Sequence, residues 1–327
     1  MIRRHGVRTT PPPIVAITGP TASGKTGLSL ALWERLQSGS GDFAGAEIVS
    51  VDSAMIYRGM DIGTAKPAME VRTRVPHHLI DILDPAQSYS AARFAADAAA
   101  IIAELRLRRK VPILVGGTLL YFRALLEGLN ELPSASPELR RRLEKEAASK
   151  GWHAMHQQLA SIDPPTAARL HPNDAQRIQR ALEIYELSGQ PASLWYESHR
   201  KPAIEGELLQ LALCPPDKAE RYRRIEARFH EMLAAGFVDE VARLRAREDL
   251  HPDLPSMRAV GYRQIWQHLD GEFGLEEAVQ RAIYATRQYA KRQLTWLRRE
   301  PQWRMYEHTD DGVIDELIHR IAATLDR

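Results

Sequence analysis

The stretch "AITGPTASGKTGL", residues 16–28, decides the fold. Within it, Gly19-Pro20-Thr21-Ala22-Ser23-Gly24-Lys25-Thr26 fits the phosphate-loop pattern G-x-x-x-x-G-K-[ST] without a mismatch. In such a loop, backbone N–H groups, the start of the next helix and the lysine together stabilise a run of phosphate negative charge. The hydroxyl of Thr26, with Ser23 as a second candidate, suits Mg²⁺. The motif needs a strand before it and a helix after it. Ile14-Val15-Ala16-Ile17 reads as a buried parallel strand, and a helix is expected from Lys25 to Leu36. The loop implies a phosphate chain but not whose.

Working outward, Glu47 to Val51 reads as a second strand ending at Asp52. Residues 90–110 read as a helix capped by Ser90. Val111 to Val115 is a third strand, ending in Gly116-Gly117-Thr118. Strands alternating with helices imply a parallel α/β sheet flanked by helices, of the P-loop NTPase-like class. Ligands of such sheets sit at the carboxyl ends of the strands, which is where the phosphate loop, Asp52 and Thr118 fall.

From residue 133 to 206 the pattern becomes helical, without a convincing strand. Asp174 caps a helix with Ile178, Ala181, Leu182 and Tyr185 on one face, and Gly189 and Pro191 end it. Leu208 to Leu213 then returns as a strand, Asp217 and Glu220 start a long helix, and the last third reads as helical. The expected organisation is a disordered leader over 1–13, a core over 14–132 and 207–327, and an all-helical insertion domain over 133–206.

The 327 residues and 44% hydrophobic content suffice for this much core. A net charge of +2 leaves nucleic-acid binding to local patches rather than to overall basicity. Cys214 is the only cysteine, which excludes a disulfide framework and points to a reducing, cytoplasmic setting. No apolar run reaches membrane-spanning length, and a monomer is expected.

Four constellations carry candidate chemistry. The first is the phosphate loop. The second is residues 51–67, where Asp52 can be a Mg²⁺ ligand, a general base or a turn cap, beside the polar residues Tyr57, Arg58, Asp61, Thr64 and Lys66. The third is residues 116–122, where two glycines allow close backbone approach and Thr118 offers a hydroxyl or a cap. The fourth is a set of basic helical stretches with amides and aromatics, a composition that suits RNA loops but also solvated helix faces. It comprises residues 176–180, 258–266 and 291–299. His77-His78 lacks a third ligand and does not read as a metal site.

In this order GPTASGKT, DSAMIYRGMDIGTAKP, GGTLLYF, HPNDAQRIQRALE, RAVGYRQ and KRQLTWLRR closely resemble the bacterial-type tRNA dimethylallyltransferase (IPP transferase) family, over Ile14 to Arg299. The resemblance implies transfer of a dimethylallyl group from dimethylallyl diphosphate to N6 of adenosine 37 in tRNAs that read codons beginning with U. Diphosphate leaves and Mg²⁺ assists. Asp52 would take the amine proton, Thr118 would contact the diphosphate, and Arg224, with Arg228 competing, would hold it. Contacts to the tRNA would come from Asp52, Ser53, Ala54, Met55 and Thr118. Arg140 and Gln176, Arg177, Ile178, Gln179 and Arg180 would add a surface on the insertion. Arg258, Ala259, Val260, Gly261, Tyr262 and Arg263 would form another, with Lys291, Arg292, Trp296 and Arg298. The competing readings are a P-loop small-molecule kinase and a free-adenylate prenyltransferase, neither of which needs an insertion gripping an anticodon arm. A GTP-dependent switch is disfavoured by the lack of an N-K-x-D motif.

Overall fold

The structure, a computed structural model, describes residues 11–37, 43–130, 132–197, 201–307 and 311–324. Six strands form one sheet: β1 (Ile14–Thr18), β2 (Ala46–Val51), β3 (His77–His78), β4 (Val111–Gly116), β5 (Leu208–Leu213) and β6 (Arg304–Tyr306). Every pairing is parallel, in the order β3-β2-β4-β1-β5-β6. The strand on the other side of β1 from β5 is therefore β4 rather than β2.

The five residues of β1 are all fully buried, as expected for a central strand covered on both faces. Successive side chains serve opposite layers. Ile14 and Ala16 join the layer containing Phe94, Phe122 and Leu297, whereas Val15 and Ile17 join Leu28, Leu32 and Leu317. A third apolar cluster lies among the helices Lys218–Ala234, Phe237–Arg245, Tyr262–Leu269 and Leu275–Leu297, and takes in Ile56, Tyr57 and Met60. Among the described residues, no helix is long and apolar enough to cross a membrane.

Local signals set most boundaries. Ser90 caps the helix Ala91–Leu107 by accepting from Arg93 N. Asp217 caps Lys218–Ala234 by accepting from Ala219 N at 2.7 Å. Glu220 does not complete a capping box there, because its carboxylate pairs with Arg223 and Arg224 instead. Two expectations fail. The last third is not wholly helical, since Arg304–Tyr306 adds an edge strand beside β5. The leader is not disordered up to residue 13: Pro12 and Pro13 are buried, and Pro12 O accepts from Arg106 Nε at 2.9 Å. Residues 1–10 lie outside the described residues.

The chain forms two compact units, one of residues 1–126 with 203–327 and one of residues 127–202. Ala203 N donates to Leu125 O at 3.0 Å, so the first unit's chain leaves and returns side by side. The second unit is helical throughout: Pro137–Lys150, Trp152–Ile162, Pro164–Arg169, Ala175–Ser188 and Ala192–Glu197. Its core holds Leu143, Met155, Leu159, Ile178 and Leu182. At the edge of this core lies a carboxylate with no solvent exposure, Glu183. Arg140 meets it with two bonds of 3.0 and 3.2 Å, Arg180 with one of 2.5 Å, and Ser136 N with one of 2.9 Å. Burial alone would raise its pKa, but the bonds from Arg140 and Arg180 outweigh burial and hold it below the usual carboxylate value.

A depressed folded pKa stabilises fully above the unfolded value and is lost as pH falls through the folded one. The Glu183 contribution should therefore start to fall as pH drops below the ordinary glutamate value of about 4.3 and be gone only below its lower folded value. Glu183→Ala strips both arginines of their partner, and urea unfolding at pH 7 should show a loss of about 3 kcal/mol in the helical unit. An unfolding curve that matches wild type would contradict this role.

Candidate active site

The registers Ile17–Val115 and Val51–Gly116 align the carboxyl ends of β1, β4 and β2 in one row. The phosphate loop, Gly117-Thr118 and Asp52 follow those ends directly. They line a single cavity of about 440 Å³ with Lys25, Tyr57, Arg228, Arg258 and Tyr289. A second, more open hollow of about 860 Å³ shares Ala22, Lys25, Thr26 and Arg228 with the first and is also bounded by Arg72, Arg224 and Glu231.

In the phosphate loop Ala22 takes the left-handed φ of +64°, a strained value for a residue with a side chain. Lys25 Nζ folds back on the loop, donating to Gly19 O at 2.9 Å and Pro20 O at 2.8 Å. Burial pushes its pKa down to about 8, aided by the Arg228 charge and opposed by Asp52. These carbonyls stand where a phosphate oxygen would be a stronger partner for the ammonium. Thr26 is exposed and lines both hollows.

Asp52 Oδ1 accepts from Ala54 N at 2.8 Å and Met55 N at 3.3 Å. One oxygen thus shapes the turn that places Ser53, Ala54 and Met55 on the cavity wall. The capping role and a role in the cavity coexist, because Oδ2 takes no part in the turn. Thr118 Oγ1 accepts from Ser53 N at 3.0 Å, tying the ends of β4 and β2. Tyr289 OH donates to Gly117 O at 3.3 Å. Burial, with the Asp52 charge, pushes its pKa up to about 12.

The two arginine candidates differ. Arg224 is half exposed and ion-paired with Glu220 at 2.8 Å. Arg228 lines both hollows. Burial lowers its pKa while Asp52 acts in the opposite direction. It has no side-chain hydrogen bond or ion pair among the described residues. The geometry favours Arg228 over Arg224 as the cavity's second cation.

The polar loop after Asp52 is held by a residue that sequence reasoning missed. Glu240, 3% exposed, accepts from the backbone N of Asp61, Ile62 and Gly63 at 3.0, 2.8 and 3.2 Å. It also accepts from Tyr262 OH at 2.5 Å. A Cβ at Gly63 would meet the Phe237 ring at 2.1 Å, so only glycine admits this contact. Lys66, expected as a binding residue, is 2% exposed and spent on Tyr57 O, Asp61 and Asp81. Gln293 was missed too. It joins the phosphate loop to Gly117 by hydrogen bonds to Thr21 N and Gly117 O.

Several expected RNA contacts are turned inward. Ile178 is fully buried in the helical unit's core. Gly261 is buried, and Tyr262 is fully buried against Glu240. Trp296 packs against the Phe94–Phe122 layer. Arg140 and Arg180 are committed to Glu183, and Gln179 donates to Arg140 O at 3.1 Å. Exposed as expected are Ser53, Gln176, Arg177, Arg258, Val260, Arg263, Lys291, Arg292 and Arg298, with Ala259 half-buried. Arg177 is paired only with its own cap, Asp174, at 3.1 Å. Cys214 is buried, which raises its thiol pKa to about 11, and it takes no part in the site's chemistry. His78 is bonded to Glu47 at 2.7 Å, and no cluster of three metal-ligating side chains occurs among the described residues.

A parallel sheet with a phosphate loop at its central strand, an acidic group two strands away and cations on the facing helix define an α/β protein of the P-loop type. The chain belongs to the IPP transferase family, whose model matches residues 55–300. It is 55% identical to the tRNA dimethylallyltransferase of Alkalilimnicola ehrlichii over 92% of this chain and 93% of that one. It is 51% identical to that of Methylococcus capsulatus over 96% and 98%. Among solved structures, the full-length tRNA isopentenylpyrophosphate transferase of Bacillus halodurans superposes with a TM-score of 0.67 at 38% identity, covering 96% of this chain and 97% of that one. A eukaryotic dimethylallyltransferase acting on tRNA superposes with a TM-score of 0.70 at 27% identity, covering 88% and 70%.

A phosphate ligand needs Lys25 charged. Inorganic diphosphate should therefore bind with proton uptake near pH 8, about half a proton more than for Lys25→Arg, whose guanidinium stays charged. Calorimetry in two buffers of different ionisation heat reads this. Equal uptake by both proteins would refute the assignment. Affinity should fall as pH rises above about 8, where Lys25 is neutral in the free protein.

Proposed function

We propose that this protein transfers a dimethylallyl group from dimethylallyl diphosphate to N6 of adenosine 37 in tRNAs that read codons beginning with U. The observation that carries the reading is the convergence of Lys25, Asp52, Thr118 and Arg228 on one cavity of about 440 Å³. That volume suits a flipped base and a small allylic diphosphate together.

The reaction breaks the bond between the allylic carbon and the diphosphate oxygen and forms a bond from that carbon to N6. Negative charge develops on the leaving diphosphate. The phosphate-loop N–H groups of Gly24, Lys25 and Thr26, with the Lys25 ammonium and Arg228, meet that charge. Thr118, on the wall of the same cavity, would contact the same group. The adenine amine is a weak nucleophile, because its lone pair is delocalised into the ring. A carboxylate that accepts its proton compensates, and the free oxygen of Asp52 is that acceptor. The cavity also offers the exposed Thr26 hydroxyl at the phosphate loop, a hard oxygen that would complement substrate phosphates in holding Mg²⁺. When bound, the ion would neutralise diphosphate charge.

The tRNA is gripped by exposed cations that lack a buried partner, namely Arg177 beside Gln176, Arg258 with Arg263, and Lys291, Arg292 and Arg298. Within the helical unit, Arg140 and Arg180 brace the helix that carries Gln176 and Arg177 by holding Glu183. We infer a monomer that works with tRNA alone as its macromolecular partner.

Labelled dimethylallyl diphosphate should mark unmodified tRNA carrying adenosine at position 37, without ATP. Label appearing only on AMP or ATP would refute the tRNA assignment. Asp52→Asn should lower kcat by about 10²- to 10⁴-fold while tRNA affinity stays within about twofold. Arg228→Ala should raise KM for the allylic diphosphate by at least about tenfold more than Arg224→Ala does, because only Arg228 lines both hollows. Equal effects in steady-state kinetics would return the two arginines to parity.

A further inference from the structure

Gln293 lies on the helix Leu275–Leu297 and is 2% exposed, yet both ends of its amide are bonded to the cavity wall. Oε1 accepts from Thr21 N at 3.0 Å. Nε2 donates to Gly117 O at 2.8 Å. The amide's orientation is unambiguous, because a backbone N–H only donates and a carbonyl only accepts. The two partners follow neighbouring strands: Thr21 belongs to the loop after β1, and Gly117 precedes Thr118 after β4. Thr18 Oγ1 joins the two strand ends by donating to Gly116 O at 3.1 Å, and beyond the strands Gln293 is the described side chain that bridges the two turns. The turn's own sequence is adapted to the contact, since a Cβ at Gly117 would lie 2.6 Å from Nε2.

We infer that Gln293 is a positioning residue for the transfer: its amide fixes the distance between the phosphate loop and the Thr118 turn, and so between the leaving group and Asp52. The inference rests on the function proposed above. The chemistry demands that the group holding the diphosphate and the group receiving the proton be set on opposite sides of one carbon. They sit on different strands, and loops beyond strand ends are free to shift. Thr118 already ties β4 to β2 through Ser53 N. Gln293 closes the remaining gap from β4 to the phosphate loop, and a loss of about one ångström in such a setting costs about 10²-fold in rate. Glutamine offers a donor and an acceptor at once without carrying a charge at any pH. Methionine fills the space with neither, and ionised glutamate keeps the acceptor but sets a carboxylate against the Gly117 carbonyl.

Protonated glutamate, however, mimics the amide, with one O–H donor and one carbonyl acceptor. That gives a test that a packing role would not pass. Gln293→Met should lower kcat by about 10²-fold, with KM for tRNA within about twofold, and should weaken inorganic diphosphate by about tenfold. In Gln293→Glu, the kcat relative to wild type should be highest at low pH. It should fall about tenfold per pH unit once the pH exceeds the glutamate's pKa, which burial raises above the usual value of about 4.3. Lys25, Asp52, His77, Arg228, Arg258 and Tyr289 line the same cavity in both proteins, so the ratio cancels their titration. A wild-type kcat in Gln293→Met, or a flat ratio for Gln293→Glu between pH 5.5 and 8.5, would overturn the inference. Failure of wild type to label tRNA sinks the proposed function instead, and the diphosphate affinities of the variants still report on the bridge.

Discussion

The structure depends on one geometric constraint, the adjacency of β1, β4 and β2 in a parallel sheet. Parallel strands present their carboxyl ends on one edge, and every turn beyond that edge opens toward the same space. The crossover that inserts β4 between β1 and β2 sets the phosphate loop and Asp52 about two strand spacings apart, roughly 10 Å. That separation leaves room for a diphosphate and an acceptor amine between a cationic end and an acidic end. A direct β1–β2 neighbourhood would bring Lys25 and the Asp52 carboxylate close enough to neutralise each other.

Strand ends fix directions but not the turns that follow them, and buried polar groups do the rest. Glu240 accepts from three successive backbone N–H groups of residues 61–63. An unpaired carboxylate in that position would be prohibitive, so the loop cannot leave without stranding the charge. Gln293 and Thr118 act in the same way on the phosphate loop and on the Asp52 turn. All three ties run from regular secondary structure or its immediate end to a loop. The chemistry thus sits on loops whose freedom is removed by the scaffold.

The sheet, the phosphate loop and the helix caps were legible in the sequence because each is a local signal: an apolar run, a glycine pattern, a capping side chain. Strands β3 and β6, two and three residues long, carry too little sequence for any periodicity. Glu240 and Gln293 were hidden for a different reason. Each sits at the second position of a buried helical stripe, Phe237-Glu240-Val241-Leu244 and Ala290-Gln293-Leu294-Leu297, at spacings of 3, 4 and 7. Read as charge or polarity they join the solvated face; read by period they belong to the core. A polar residue in phase with an apolar stripe was the available signal. Tyr262 was misread the same way, as a member of a basic motif rather than of its own stripe, whereas Ile178 was placed on its apolar stripe and counted as an RNA contact only through the family resemblance.

The same distinction reorders the basic residues. Arg140, Arg180 and Arg224 look as cationic in the sequence as Arg228, Arg258 or Lys291. An arginine bonded to a carboxylate presents little net field, and freeing it for a phosphate means leaving its partner unpaired. For Arg140 and Arg180 that partner is the fully buried Glu183, so exchanging it for RNA is costly. For Arg224 the partner Glu220 is partly exposed, and the exchange is cheaper. Arg228 has no side chain to exchange at all, and its desolvation is a cost already met by the fold. A phosphate arriving there regains electrostatic energy that folding gave up, without breaking an existing pair. Cations therefore rank by what they must abandon to bind, and by that measure the strongest anion site in the protein is between Lys25 and Arg228, at the cavity the phosphate loop opens.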